Sequence, residues 1–195
     1  MLTVYGTVPS RTFRVLWALE ELGAEYSFQV ARPHSPEVFS VNPLGQVPVL
    51  VDGDAILTDS LAILNYLADR AGALTYPPGT PERARMDARI NFVITEMEAP
   101  LWLMARHGFV LPEDQRAPGM RAVAEADFAR ARTKFEKLLT GDEFATGDRF
   151  TIADVVAGHV LRWARNAKVP VEGPALAYLD RMAGREAYGR TQSKG

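Results

Sequence analysis

The chain has 195 residues, no cysteine and a formal net charge of −2, with 47% apolar and 24% charged residues. This composition calls for a packed core rather than disorder, and it excludes disulfides, zinc–thiolate sites and a protein thiol nucleophile. Near-neutral charge argues against nucleic acid or an anionic membrane as the main partner. The opening MLTVYGTVPSRTFRVLWALEELG lacks the layout of a signal peptide and no apolar run is long enough to span a bilayer, so a cytoplasmic protein is expected.

In chain order, residues 2–5 read as a short strand closed by Gly6. A helix follows over 11–22, with Phe13, Leu16, Trp17, Leu19 and Leu22 on one stripe and Gly23 suited to its C-cap. Residues 26–31 alternate like a second strand, and RPHSPEVFSVNPLG leaves room for one helical turn at 37–41. Strands at 48–51 and 55–58 flank Asp52-Gly53-Asp54, a tight hairpin signal. Leu61, Leu64, Tyr66 and Leu67 then mark a helix to about Arg70, completing βαβ followed by ββα.

The stretch AGALTYPPGTPE is dense in Pro and Gly and reads as the domain boundary. The expected layout is therefore an α/β domain over 1–74, a linker over 75–81 and an all-helical domain over 82–195. Helices are expected over 82–107, bent at Pro100, over 113–139, within DRFTIADVVAGHVLRWARN and over 174–184. A cleft between two such halves is a favoured place for a ligand.

Two local features bear on chemistry. Pro48 stands at the head of a strand, where a residue that cannot donate to the ladder belongs. A cis Val47–Pro48 bond would turn the Val47 backbone outward, free to pair with an extended peptide; the ordinary trans proline is the simpler alternative. Asp59 and Ser60 head the next helix. The helix N-terminus with a hydroxyl suits a carboxylate, and Asp59 suits an ammonium, so together they match an amino-acid head group; plain N-capping is the alternative.

NPLGQVPVLVDGDAILTDSLAILNYL, with SRTFRVLWALEELG before it and FTIADVVAGHVLRWA after it, resembles the cytosolic glutathione transferases over nearly the whole chain. The resemblance implies a thioredoxin-like βαβ-ββα domain followed by a helical bundle, and glutathione as co-substrate without a metal. It implies that Pro48 is cis, that the Val47 backbone pairs with the cysteinyl residue of glutathione, and that Asp59 and Ser60 hold the γ-glutamyl head. Gln46 matches a side chain that helps hold the tripeptide, and Arg11 or His34 could reach its glycyl carboxylate. Glu96 or Glu98 could approach the glutamyl ammonium of a neighbouring subunit, since a homodimer is implied. For activating the thiol, Ser10 and Tyr5 both fit, ahead of Thr7 and Thr12; cysteine-type members are excluded. The implied reaction is conjugation of the thiolate to hydrophobic electrophiles. A glutathione-dependent peroxidase or disulfide reductase, or a non-catalytic ligand-binding or docking protein, are the alternatives.

In the helical half, Thr151 and Asp154 fit a capping box, with Phe150 and Val155 as the staple, and are assigned a structural role. Trp102, Met104, His107, Phe109 and Trp163, with His159, are candidates for the electrophile pocket; at helical spacing such residues also suit a core. The tail REAYGRTQSKG is short and polar, so an open pocket without a lid is expected.

Overall fold

A computed structural model of the chain describes residues 1–139 and 143–195, which include every candidate named above. The chain forms two compact units, Met1–Thr80 with Met182–Gly195, and Pro81–Arg181.

The first unit begins β1 (Leu2–Gly6), α1 (Thr12–Leu22), β2 (Tyr26–Val30), α2 (Pro36–Phe39), β3 (Val49–Asp52), β4 (Ala55–Thr58) and α3 (Ser60–Ala71). The sheet has the order β2-β1-β3-β4, with β1 parallel to β2 and antiparallel to β3, and β3 antiparallel to β4. Alternation divides the strands between two faces. Val4 and its partner Leu50 are fully buried. Tyr5 and its partner Val49 lie on the other face and join an apolar cluster with Ala31 and Val38. From α1 and α3 come Phe13, Leu16, Trp17, Leu19, Ile63 and Leu64, all fully buried, each such side chain contributing about 1.5–3 kcal/mol of transfer free energy. Gly23 ends α1 at φ 61°, a conformation that favours glycine. This is a thioredoxin-like α/β domain.

The sequence analysis places the tail in the helical half. Instead, α9 (Glu186–Gln192) packs with the first unit. Tyr188 meets Phe13 and Trp17 edge-on, each at 5.1 Å. Arg185 makes a two-pronged pair with Glu21 at 2.6 and 2.8 Å, and Arg190 reaches Glu20 at 2.8 Å. One ring and two guanidinium groups do what an apolar stripe does elsewhere.

The second unit contains α4 (Pro81–Phe92), α5 (Ala99–Ala105), α6 (Met120–Leu138), α7 (Ile152–Asn166) and α8 (Gly173–Ala183) as far as Arg181. The expected helix over 82–107 is interrupted by a π-helical turn at Val93–Glu98 and ends in a second at Arg106–Val110. Pro100 has no N–H to return to the preceding turn, and it falls in the first turn of α5, just after the wider turn. The helix expected from 113 starts only at Met120, because Pro118 and Gly119 (φ 79°) break the chain after a short 3₁₀ turn at Glu113–Gln115. In α7 every residue from Ile152 to Leu161 is buried, as befits a central helix.

Asp154 holds the start of α7. Its carboxylate accepts from the N–H of Thr151 at 2.8 Å, the N–H of Ala145 at 2.7 Å and the Tyr178 hydroxyl at 2.7 Å. Thr151 Oγ1 accepts from the Ala153 N–H at 3.3 Å. Burial pushes the Asp154 carboxyl up, against these hydrogen bonds, which pull it down.

Candidate functional site

Strand register brings the first unit's candidates to one end of its sheet. Gly6 pairs with Val30, Tyr5 with Val49, and Val49 with Thr58. The chain therefore leaves β1 toward Ser10, leaves β2 toward His34, enters β3 from Val47 and Pro48, and leaves β4 toward Asp59 and Ser60, all at that end. Both α1 and α3 also start there, so their partial positive charges face the same region.

Each position has a local cause. The Val47–Pro48 peptide bond is cis. Among the described residues, the N–H and C=O of Val47 enter no hydrogen bond. The Asn42 amide holds this loop by donating to the Gln46 carbonyl at 2.9 Å, while the Gln46 side chain is exposed. His34, exposed and at φ 62°, donates its N–H to the Gly45 carbonyl at 2.7 Å, which ties it to the same loop.

Asp59 is exposed, with φ 68°, and its Oδ1 accepts from the N–H groups of Leu61 at 2.8 Å and Ala62 at 3.1 Å. That use leaves Oδ2 outside the cap. Ser60 beside it is only 2% exposed. The Ser10 hydroxyl lies 2.7 Å from the Thr7 carbonyl and 2.9 Å from Thr12 Oγ1, and it accepts from the Thr12 N–H at 3.1 Å. Arg11 is half-buried beside it. Tyr5 is half-buried against Val38 and Val49.

One residue of this region escaped the sequence reading. Arg14, 1% exposed, donates from Nη1 to Ser60 Oγ at 3.2 Å. Its signal was a single charge inside the otherwise apolar run Phe13–Leu19 of α1.

Comparison with known proteins gives the family. The model of the glutathione S-transferase N-terminal domain matches residues 1–69, and that of the C-terminal domain matches 94–189. Glutathione S-transferase GstA of Escherichia coli O157:H7 is 34% identical over 154 residues, covering 76% of this chain and 73% of its own length. The chain belongs to the glutathione S-transferase family. A zeta-class glutathione S-transferase of Euphorbia esula is 30% identical, over 75% of this chain and 68% of its own. Among solved structures, a glutathione transferase of Methylococcus capsulatus superposes with a TM-score of 0.87 at 25% identity, covering 100% of this chain and 98% of the other. A theta-class enzyme of Xanthomonas axonopodis pv. citri, with glutathione bound, gives 0.80 at 25% identity over 97% of this chain and 96% of the other.

In this glutathione S-transferase the second unit's candidates differ in exposure. Trp102 and Glu96 line an open groove of about 440 Å³ with Thr95, Ala99, Leu103, Arg106 and Asp127. Met104 is 7% exposed and belongs to the core, whereas Phe109 is 73% exposed. His107 Nδ1 accepts from the Ala117 N–H at 3.0 Å, so the ring pins the segment leading to α6. His159 is buried on α7, and Trp163 is half-buried one turn on. Glu96 is exposed and pairs with Lys134 at 3.3 Å, while Glu98 is buried. Among the described residues no cluster of His, Asp or Glu has the arrangement of a metal site, and no helix is long and apolar enough to cross a membrane.

Proposed function

We propose that this protein binds glutathione at the end of its sheet where Val47, Ser60 and Ser10 converge, and adds its thiolate to hydrophobic electrophiles. The observation that carries the reading is this convergence, set by strand register: an unpaired backbone step at Val47, a helix start with a carboxylate and a hydroxyl, and a hydroxyl at the start of a second helix. The family relationship and the glutathione bound in the Xanthomonas relative support the ligand. The Val47 N–H and C=O pair with the cysteinyl residue as an added strand does. Asp59 holds the glutamyl ammonium, Ser60 and the start of α3 hold its carboxylate, and Gln46 with Arg11 or His34 holds the rest of the tripeptide.

The protein has no cysteine, so the reactive sulfur is the ligand's. A thiol of pKa about 8.5 is only a few per cent ionised at neutral pH. We assign Ser10 rather than Tyr5 to the thiolate, because Ser10 sits at the head of α1 while the Tyr5 ring is engaged in the apolar cluster. The Ser10 proton turns from the Thr7 carbonyl to the sulfur. With an aryl halide, a carbon–sulfur bond forms, the carbon–halogen bond breaks, the halide leaves with the electron pair and the thiol proton passes to solvent.

Titration calorimetry with glutathione, followed by absorbance of the conjugate formed with chlorodinitrobenzene, tests the proposal. Binding and turnover are expected. Binding without turnover overturns the conjugation step, and absence of binding overturns the whole reading.

A further inference from the structure

The contact between Arg14 and Ser60 joins residues 46 positions apart in sequence, and both are almost completely withdrawn from solvent, at 1% and 2% exposure. A serine hydroxyl carries one proton and two lone pairs. Here Arg14 Nη1 donates into a lone pair at 3.2 Å, and a guanidinium has only protons to give. The contact thus fixes the direction of the hydroxyl: Ser60 is an acceptor toward α1, and its own proton is turned elsewhere. Among the described residues no group accepts that proton. A nearly buried donor without an acceptor is costly to leave so, and it calls for an acceptor from outside the chain.

The same geometry sets the sign of that acceptor. The guanidinium is permanently charged. Its hydrogen bond polarises the Ser60 O–H in the sense that makes the proton a better donor, at the start of α3 where the helix itself carries partial positive charge. Asp59 next door turns Oδ1 to the backbone N–H groups of Leu61 and Ala62 rather than to Ser60.

We propose that Arg14 is a positioning residue for the carboxylate of the bound tripeptide's glutamyl head: it orients and polarises the Ser60 hydroxyl, and of these two residues only Ser60 touches the ligand. The proposal rests on the glutathione reading above and extends it to a buried residue of α1 that makes no contact with the ligand itself.

The test compares glutathione with its analogue lacking the α-carboxylate of the glutamyl residue, 4-aminobutyryl-cysteinyl-glycine, by calorimetry. The proteins are wild type, Arg14→Gln, Arg14→Lys and Ser60→Ala, each checked for native circular dichroism and a melt above the assay temperature. Arg14→Gln keeps an N–H and removes the charge. Glutathione affinity should fall at least tenfold in Arg14→Gln and in Ser60→Ala, with Arg14→Lys between these and wild type, while the analogue's weaker affinity stays constant across all of them. Equal losses for both ligands, or glutathione binding unchanged in Arg14→Gln, overturn the inference and leave the glutathione reading standing. If Arg14→Gln does not fold, Arg14→Lys with Ser60→Ala decides: charge relayed through Ser60 requires Arg14→Lys to change glutathione affinity in wild type but not in the Ser60→Ala background, and additive effects overturn it. If wild type binds no glutathione, both readings fall.

Discussion

Asp59 carries two demands in one residue. Its φ of 68° lies where side chains are rarely found, at a typical cost of about 1–3 kcal/mol, and its Oδ1 caps α3. Asparagine matches aspartate in shape and retains the capping oxygen, but not the charge. We expect Asp59→Asn to melt within a degree or two of wild type and yet to bind glutathione at least tenfold more weakly, a loss of about 1.4 kcal/mol. A melt lowered as much as in Asp59→Ala would show that the charge serves the fold instead. The choice between Ser10 and Tyr5 is also made at this scale. Replacing the donor to a thiolate raises the thiol pKa by one to two units, which is roughly 1.4–2.7 kcal/mol. Ser10→Ala should therefore lower kcat/KM for chlorodinitrobenzene by about 10- to 100-fold and shift the pH profile upward, whereas Tyr5→Phe should change neither by more than about twofold. The reverse pattern would transfer the role to Tyr5. Asp59 and Ser60 were visible in the sequence because the helix start they announce is a local signal. Arg14 was not, because its meaning lies in a contact between two helices.

Helix α7 depends on its first turn. Asp154 gathers the N–H groups of Thr151 and Ala145 and the Tyr178 hydroxyl, joining the segment before α7 to α8. Removing the carboxylate leaves those buried donors without an acceptor, at about 1–3 kcal/mol each before relaxation. Asp154→Ala should thus cost about 3 kcal/mol, more than the ~1 kcal/mol of an ordinary cap, as measured by urea unfolding. Its pH dependence has a definite sign. A carboxyl whose pKa is higher folded than unfolded binds protons more tightly in the native state, so its stabilisation is full below the ordinary value of 3.8 and is lost as pH rises through the folded value. The stability of wild type minus that of Asp154→Asn should therefore decline as pH rises from 3.8; an increase would mean that the hydrogen bonds outweigh burial. The elements themselves were legible where the apolar period was strong, as in α1, α3 and α7. The π turns flanking α5 were not, because the same residues read as continuous helix and only the register of the backbone hydrogen bonds distinguishes them.

At the scale of the molecule, order along the chain is a poor guide to which part belongs with which. The change from α/β to all-α could be read from the strands' end and the Pro-Gly stretch, but not the return of residues Met182–Gly195 to the first unit. That return rests on Tyr188 between Phe13 and Trp17, and on Arg185 and Arg190 against Glu21 and Glu20. Burial disfavours an ionised Glu20, but its bonds to Arg190, Tyr26 and Lys194 prevail and hold its carboxyl below the usual range. The consequence concerns ligand binding. The candidate glutathione contacts lie in the unit that contains α1, and a ligand at 100 times its Kd stabilises the state that binds it by about 2.7 kcal/mol. Since α9 is fastened to α1, it should share that protection although no candidate contact lies in it. Hydrogen exchange with and without saturating glutathione should slow together in peptides covering α1, α3 and α9. In Arg185→Ala, which breaks the pair with Glu21, α9 should exchange faster and respond less to ligand, while α3 keeps its response. If α1 is protected and α9 is unchanged in wild type, α9 opens independently and the tail is an appendage rather than part of the fold that holds the ligand.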